Sequence, residues 1–335
     1  MTDQGSSSAS DASIDKRRGA ARIDERTNLA GRGFAHSVLH GLSMRPRRIE
    51  SKWLYDAEGA RLFEEIVATP AYYVPRAEKA ILSEYAAEIS GAVGRGLGLL
   101  ELGSGASSKV RILLDQLESL RCYVPVEISE AQLLEAAEEI RRDYPHLPVF
   151  PIVADYTEGF DLPPAAGEGR LMVFFPGSTL CNMLPGNSVA FLRRMREVVG
   201  PAGFFLAGVD LKKHEETMLR AYNDPGGPMW RFNLNILERL NRELGCQLDP
   251  AAFRHEAIYN REAGRIEAAI YPNADQTLVL NGSQFVLPEG EPIVLEYSHK
   301  YSIEEFQALA REAGWLPRKA WTDRDRLFSV HLLAS

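Results

Sequence analysis

Three acidic residues and two glycines stand where a ligand-binding site can form. In the stretch LGLLELGSGASSKVRILLDQL, Glu101 lies in an apolar run, and the turn that follows contains Gly103 and Gly105. Glu127 lies at the end of the next apolar run, 24 residues after Gly103, and Asp155 at the end of the one after that. Glycine lets a backbone turn approach a ligand closely, and carboxylates at strand ends accept hydrogen bonds from ligand hydroxyls. The pattern therefore indicates a small-molecule site at the ends of successive strands.

Two phosphate-binding interpretations of the glycine turn fit poorly. A Walker loop needs G-x-x-x-x-G-K-[ST], but the register from Gly103 gives Ser108, Lys109 and Val110, so the second glycine and the hydroxyl after the lysine are missing. A dinucleotide fingerprint needs G-x-G-x-x-G, and Ser108 stands where its third glycine would be. Glu101 also disfavours a pyrophosphate, which binds best where the potential is positive.

S-Adenosylmethionine fits the turn better, because it carries an ammonium, a sulfonium and a carboxylate and has no phosphate. In this interpretation Glu127 accepts both ribose hydroxyls, and Asp155 meets the adenine amino group. A glycine turn with two acids at successive strand ends is moderately specific. The same acids can also be ordinary solvated residues at strand ends, so the pattern alone leaves both interpretations open.

The elements that position these residues alternate between strands and helices. Apolar runs of strand length are separated by segments with apolar residues at helical spacing. This predicts a doubly wound α/β domain whose parallel sheet is covered on both faces and binds ligands at the carboxyl ends of its strands. Ser107 and Ser129 are predicted N-caps of the helices that follow them. The predicted strands are 97–102, 122–128, 147–156, 170–178 and 203–211, and the predicted helices are 78–93, 107–120, 130–144 and 187–200.

The alternation stops after the fifth strand and resumes near the end of the chain. The interruption contains a helical segment at 229–244 and two strands at 257–272 that can pair across a turn. Ser302 and Glu305 then form the pattern of a capping box, and residues 318–335 predict two strands joined by a tight turn. We therefore expect a second α+β module inserted into the doubly wound domain. The predicted domains are a disordered tail at 1–24, a substrate-binding domain at 25–77 and 213–300, and a cofactor-binding domain at 78–212 and 301–335.

Composition argues against several classes of function. The 335 residues carry a net charge of -8, which does not suit a nucleic-acid groove. No apolar run approaches the roughly 18 residues of a membrane span. The three cysteines form no CxxC pair and the seven histidines show no metal-binding spacing, so we expect no metal site. This cysteine usage fits the reducing environment of the cytoplasm.

Longer stretches resemble a known family. From about residue 33 to 334 the chain is similar to the L-histidine Nα-methyltransferases of ergothioneine biosynthesis. The resemblance implies a Rossmann-like class I methyltransferase sheet with an inserted substrate domain. The stretches that carry it are SKWLYDAEGARLFEEIVATPAYYVPRAE, LELGSGASSKVRILLDQL, YVPVEIS, FFPGSTLCN, LRAYND, FNLNILERLNREL, LEYSHKYS and WTDRDRLFSVHLL.

The resemblance also implies a set of site residues and an activity. The activity would be three successive transfers from S-adenosylmethionine to the α-amine of L-histidine, giving hercynine, in a monomer that needs no nucleic acid or membrane. Tyr72 is the candidate catalytic residue that holds the amine near the sulfonium. The residues expected to contact the cofactor are Tyr72, Gly103, Lys109, Glu127, Asp155 and Tyr156. Those expected to line the amino-acid pocket are Tyr55, Phe63, Tyr72, Asn182, Tyr222, Glu296 and Ser298.

Within that pocket, Glu296 and Ser298 are the candidates for binding the imidazole. They stand at i and i+2, so on a strand their side chains point to the same face. The carboxylate can accept from one ring nitrogen and the hydroxyl can serve the other. Asn182 and Tyr222 can hold the α-carboxylate with neutral donors.

Some positions depart from the family pattern and leave the substrate open. Glu127 replaces the common aspartate, Cys181 replaces a glycine, and Val74-Pro75-Arg76 stands where the family has a basic Thr-Arg after the two tyrosines. An α-amine methyltransferase for a tryptophan-type substrate is the nearest alternative. A nicotinamide-dependent oxidoreductase and a non-catalytic adenosyl-binding regulator are alternatives of other classes.

Overall fold

The computed structural model describes residues 33–105 and 109–335. The predicted tail at 1–24 and the predicted N-cap Ser107 lie outside the described residues. The helices are α1 (33–43), α2 (Ala57–Ala68), α3 (Val74–Val93), α4 (Val110–Leu114), α5 (Glu130–Asp143), α6 (Pro164–Gly167), α7 (Pro185–Val199), α8 (Glu215–Tyr222), α9 (Pro228–Leu244) and α10 (Ile303–Glu312). Within these ranges, no helix has the length and apolar character needed to cross a membrane.

The strands fall into a large sheet, a smaller sheet and a hairpin. They are β1 (Arg47–Arg48), β2 (Gly98–Leu102), β3 (Cys122–Glu127), β4 (Ile152–Val153), β5 (Leu171–Phe175), β6 (Phe204–Asp210), β7 (Phe253–Asn260), β8 (Arg265–Pro272), β9 (Gln276–Leu280), β10 (Ser283–Leu287), β11 (Ile293–His299), β12 (Leu316–Thr322) and β13 (Phe328–Ala334). The small sheet has the order β1-β11-β8-β7, and β9 pairs with β10.

The described chain divides into two compact units. The first contains the residues up to Leu62 together with Trp230–His255 and Ala269–Leu295, and the second contains Phe63–Met229, Glu256–Ala268 and Glu296–Ser335. The β9–β10 hairpin lies in the first unit and turns at Asn281 and Gly282, which both have positive φ, as a two-residue hairpin turn requires.

The second unit is built on a seven-stranded sheet of order β12-β13-β6-β5-β2-β3-β4. Strands β2 to β6 run parallel, and β13 pairs antiparallel with both β6 and β12. Every residue of β2, β5 and β13 is buried, which explains why these strands are almost continuously apolar. The predicted doubly wound sheet is confirmed. Because β2 lies between β3 and β5, the strand order reverses beside it, which is where such sheets bind ligands.

An aromatic core fixes the sheet against the helices on one face. The rings of Phe175 and Phe191 lie 5.2 Å apart between centroids, and Phe205 and Trp315 lie 5.6 Å apart. The indole N–H of Trp315, only 1% exposed, donates to the carbonyl of Leu192 at 2.8 Å. The buried indole thus has its polar atom satisfied, as close packing of a tryptophan demands.

The predicted capping box is confirmed, whereas the helix predicted at 107–120 already ends at Leu114 and one predicted strand is much shorter than expected. The capping box forms, because Glu305 N–H donates to Ser302 Oγ at 3.1 Å and Ser302 N–H donates to the Glu305 carboxylate at 2.7 Å. The strand predicted at 147–156 is reduced to β4 and a single bridge at Val149. Pro148 and Pro151 explain the loss, because proline cannot donate a ladder hydrogen bond and this segment forms the edge of the sheet.

Candidate active site

The glycine turn follows β2, at the carboxyl end of the strand beside which the strand order reverses. Gly103 has φ of +70°, a conformation that glycine adopts without strain, and its N–H donates to the carbonyl of Val126 at 2.9 Å. A Cβ on Gly103 would point at the Tyr156 ring, 3.8 Å from Cε1. The turn is therefore tied to the end of β3 and lies under an aromatic ring.

The two strand-end acids lie next to this turn. Glu127 is the last residue of β3, and its Oε1 accepts the N–H of Ile128 at 2.8 Å. Asp155 follows β4, and its Oδ1 accepts the N–H of Thr157 at 2.9 Å. Burial raises the pKa of Tyr156 far above its usual value, and the charges of Glu127 and Asp155 raise it further. Tyr156 therefore lies beside Gly103 and within electrostatic range of both acids.

Lys109, which follows the glycine turn in the chain, pairs with a buried carboxylate. Its Nζ lies 2.6 Å from a carboxylate oxygen of Glu78, whose side chain on α3 is fully buried. The same carboxylate accepts the N–H of Gly177, just after β5, at 2.8 Å. Gly208 on β6 makes room for this carboxylate, since an added Cβ would come within 2.5 Å of Glu78 Oε1. Glu78 therefore connects Lys109 to the loop after β5.

Glu101 lies in the interior, although the sequence suggested a carboxylate displayed beside the turn. It is 2% exposed and accepts a hydrogen bond from the phenol of Tyr123 on β3. Burial raises the pKa of Glu101 to about 8, against a lowering by the Tyr123 hydrogen bond and by Lys109. A carboxyl with this pKa is largely protonated at neutral pH, so Glu101 does not by itself exclude a phosphate.

The residues around the turn fit an S-adenosyl group. The left-handed turn at Gly103 has no side chain, Tyr156 supplies an aromatic face, and Glu127 and Asp155 supply acceptors for ligand hydroxyl and amino groups. Among residues 33–105 and 109–335, no cluster of histidine, cysteine or acidic side chains is arranged to hold a metal ion.

Most of the residues proposed for the amino-acid pocket form a continuous cluster. The Phe63 and Tyr72 rings meet edge to face with centroids 6.4 Å apart, and Tyr72 meets Tyr222 in the same way at 6.0 Å. The Tyr222 hydroxyl lies 2.9 Å from Ser298 Oγ. Tyr72, Tyr222 and Ser298 are 9%, 3% and 1% exposed, so their polar atoms lie in a largely enclosed space.

Glu296 belongs to the same cluster. Burial raises its pKa to about 7, while the ammonium of Lys300 acts in the opposite direction. Burial also raises the pKa of Tyr72 and of Tyr222 well above the usual value, and Glu296 contributes to both shifts. The two phenols therefore stay neutral beside a carboxyl that titrates near neutral pH.

Asn182 ends a 3₁₀ turn that lies against β11. The preceding residue, Cys181, accepts a hydrogen bond on its carbonyl from His299 Nδ1 at 2.9 Å. The Asn182 Oδ1 atom is buried and has no hydrogen-bond partner among the described residues. Such an unsatisfied buried group is costly unless a ligand or water meets it.

Tyr55 lies in the first unit, in contrast to the other proposed pocket residues. It is 45% exposed, and its ring packs edge to face on Phe232 with centroids 5.3 Å apart. Both residues belong to that unit.

Four further residues beside the pocket were not identified from the sequence. Asp210, the last residue of β6, is fully buried and lies between two lysines, with Lys300 Nζ 2.7 Å from its Oδ2 and Lys213 bonded to its Oδ1. The Tyr73 hydroxyl donates to Asp210 at 2.9 Å. Lys300 lies in the quoted stretch LEYSHKYS, and only its complete burial, which sequence does not reveal, distinguishes it from a surface lysine.

Comparison with known proteins gives this geometry a context. The family model described as histidine-specific methyltransferase, SAM-dependent, matches residues 34–335. A histidine N-alpha-methyltransferase from Mycobacterium tuberculosis is 36% identical over 302 residues, which are 89% of this chain and 93% of the relative. One from Mycolicibacterium smegmatis is 34% identical over 308 residues, with 90% and 95% covered. Ergothioneine biosynthesis protein 1 from Neurospora crassa is 28% identical over 333 residues, 96% of this chain and 36% of the fungal protein.

These matches confirm the family resemblance seen in the sequence. They also confirm S-adenosylmethionine as the cofactor, since the family is SAM-dependent. The chain belongs to the family of histidine-specific, S-adenosylmethionine-dependent methyltransferases.

Proposed function

We propose that this chain methylates the α-amine of free L-histidine three times, with the mono- and dimethyl forms as intermediates and hercynine as the product. The names of the two mycobacterial relatives support the position of transfer, and the fungal relative supports a place in ergothioneine biosynthesis. The observation that carries the proposal is the placement of Glu296 and Ser298 on one strand beside two neutral tyrosines.

An imidazole ring needs this combination of groups. In its neutral form it has one N–H donor and one nitrogen acceptor. The Glu296 carboxylate can accept from the first and the Ser298 hydroxyl can donate to the second. An indole has a single N–H and no ring acceptor, so a tryptophan-type substrate would leave one of these polar groups unsatisfied.

Tyr72 is proposed to hold the amine that is methylated. Because burial keeps its phenol protonated, Tyr72 does not act as a base but can accept a hydrogen bond from the amine and orient its lone pair. The enclosed aromatic surface of Phe63, Tyr72 and Tyr222 disfavours a charged ammonium relative to the neutral amine. We propose that Asn182 and Tyr222 hold the α-carboxylate and that Tyr55 contributes to substrate binding.

S-Adenosylmethionine, when bound, supplies a methyl group activated by its sulfonium. We propose that Glu127 accepts the ribose hydroxyls, that Asp155 meets the adenine amino group, and that Tyr156 covers the ring beside Gly103. Lys109 and Tyr72 complete this set, with Lys109 held by Glu78. These residues orient the reactants and exclude water, which is the main contribution a protein makes to this chemistry.

We also propose the assignment of the chain segments and the setting of the reaction. Residues 25–77 and 213–300 form the substrate-binding domain, and residues 78–212 and 301–335 form the cofactor-binding domain. The protein acts as a cytoplasmic monomer on a small molecule. The net charge of -8 supports the expectation that nucleic acid is not a partner.

The proposal is tested by incubating the protein with S-adenosylmethionine and an equimolar mixture of the standard free amino acids. Mass spectrometry should show one, two and then three methyl groups added to histidine alone, on the α-nitrogen by fragmentation. A reaction without S-adenosylmethionine is the control. Methylation of tryptophan in preference to histidine would refute the substrate, and ring methylation would refute the position.

A further inference from the structure

A buried cluster with an excess of positive charge lies directly behind the pocket hydroxyls. The side chains of Asp210 and Lys300 are fully buried, and that of Lys213 is 6% exposed. Lys300 Nζ lies 2.7 Å from Asp210 Oδ2, and Lys213 bonds to the other carboxylate oxygen. One carboxylate thus faces two ammonium groups. One ammonium would suffice to neutralise Asp210, and Lys300 also opposes the rise in the pKa of the pocket carboxyl Glu296, so its charge acts toward the pocket.

The hydrogen bonds of Lys300 show which groups its charge acts on. Its ammonium has three protons, and three acceptors surround it. Besides Asp210 these are Ser298 Oγ at 2.6 Å and the Tyr222 hydroxyl oxygen at 3.3 Å. The ammonium also lies 4.9 Å from the centre of the Tyr222 ring. Lys300 therefore contacts both hydroxyls that face the proposed pocket and uses lone pairs of each.

A hydroxyl whose lone pair is occupied by an ammonium acts on other groups mainly as a donor. Ser298 and Tyr222 share a hydrogen bond at 2.9 Å, which uses one of their two protons. The second proton is directed to an acceptor outside this pair, and a substrate that accepts from both hydroxyls takes the shared proton as well. The buried positive charge strengthens these hydroxyls as donors, since hydrogen bonds polarise one another in a low dielectric. The pair is therefore suited to a group of the substrate that is anionic or carries a lone pair.

We propose that Lys300, anchored by Asp210, is a positioning residue that keeps Ser298 a donor to the imidazole and Tyr222 a donor to the α-carboxylate, and that through Tyr222 it selects amino acids with a free α-carboxylate. This inference rests on the proposed function, because it assumes that histidine occupies this pocket. Lys213 lies on the other side of the same carboxylate, where it contacts the Tyr73 hydroxyl at 2.6 Å. It shares the charge and the partner of Lys300 but does not bond to Ser298 or Tyr222 in the described structure.

Two matched variants separate the positioning role from a general effect of buried charge. Lys300→Met and Lys213→Met each remove one ammonium from Asp210 and leave the other in place. The dissociation constants of L-histidine and of L-histidinamide, whose α-carboxamide is uncharged, are measured by calorimetry in the presence of S-adenosylhomocysteine. Lys300→Met should weaken histidine by about tenfold or more relative to histidinamide, since both ligands carry the imidazole and only histidine carries a carboxylate that loses its charge-assisted donor. In Lys213→Met, the ratio of the two dissociation constants should stay within about twofold of its value in the unchanged protein.

The affinity for S-adenosylmethionine reports whether each variant is folded. If Lys300→Met loses that affinity, Lys300→Gln replaces it, because the amide keeps hydrogen-bond donors and removes only the charge. The dissociation constant of histidine should rise relative to that of histidinamide in this variant too. Equal changes of the ratio in the Lys300 and Lys213 variants, or no change in either, would overturn the positioning role while leaving histidine as the substrate. Failure of the unchanged protein to bind histidine would instead overturn the proposed function and the inference with it.

Discussion

The ammonium of Lys109 lies 2.6 Å from the carboxylate of Glu78, although 31 residues separate them in the chain. Glu78 is fully buried on α3, and the N–H of Gly177 donates to the same carboxylate. This carboxylate therefore joins a helix, the segment after the glycine turn and the loop after β5. The segment after the glycine turn carries Lys109, which is proposed to bind the cofactor, so the ion pair should affect both stability and cofactor affinity.

The variant Lys109→Met should lower the free energy of unfolding by about 2 kcal/mol. Removing one partner from a buried pair costs about 3–5 kcal/mol, and Lys109 is 25% exposed, which reduces the effect. Adding Glu78→Gln should recover most of the loss, because the amide is neutral and can still accept the N–H of Gly177. Urea unfolding of the single and double variants gives the coupling energy. Simple additivity of the two changes would show that the pair makes no net contribution.

Glu127→Ala should weaken S-adenosylmethionine binding by about tenfold or more. Hydrogen bonds to a charged acceptor contribute about 1.5–3 kcal/mol, and the ribose hydroxyls would lose theirs. Glu130→Ala is the matched control, since Glu130 is an exposed acid at the start of the next helix. Calorimetry should show the loss only in the first variant. An equal loss in both would indicate a long-range effect of charge.

Glu101 should make the protein less stable as the pH rises through the range from about 4.5 to about 8. Its pKa is raised by burial from 4.5 to about 8 in the folded state, so the folded protein holds this proton more tightly than the unfolded chain. The stabilisation is complete below pH 4.5 and is lost as the pH rises to about 8. Glu101→Gln, which does not titrate, should show a smaller fall in the free energy of unfolding across this range.

Urea unfolding at both ends of the pH range measures the effect of Glu101→Gln. Glu135→Gln, at an exposed position on α5, should retain the fall seen in the unchanged protein. If Glu101→Gln behaves like this control, Glu101 is already ionised in the folded protein, and other interactions offset the cost of burying its charge.

The sheet could be predicted from sequence because its signals are local. Apolar runs mark the strands, Ser302 and Glu305 mark the start of α10 by their own chemistry, and parallel strands place Gly103, Glu127 and Asp155 at one edge. The strand predicted at 147–156 is shortened to β4, because two prolines interrupt the apolar run and cannot donate the hydrogen bonds of a β-ladder.

The charged cluster behind the pocket could not be predicted in the same way. Asp210 and Lys300 lie 90 residues apart in the chain, and each resembles an ordinary polar residue at the end of a strand. Their pairing depends on β11 and β6 coming together, which no local pattern encodes. The sequence stretch LEYSHKYS indicated Glu296 and Ser298 by resemblance, but the role of Lys300 follows only from its burial and its three acceptors.

Histidine binding should become tighter as the pH rises through about 7, and this dependence should require Glu296. Burial raises the pKa of Glu296 from 4.5 to about 7, so below that pH the carboxyl is protonated and cannot accept strongly from the imidazole N–H. Glu296→Gln cannot titrate and should flatten the profile, whereas Ser298→Ala should weaken histidine but keep the pH dependence. Calorimetry between about pH 6 and about pH 8 measures both, and the imidazole of the free substrate, with a pKa of about 6.5, titrates identically in every experiment. The same slope in Glu296→Gln as in the unchanged protein would assign the dependence to the substrate and remove Glu296 from the imidazole site.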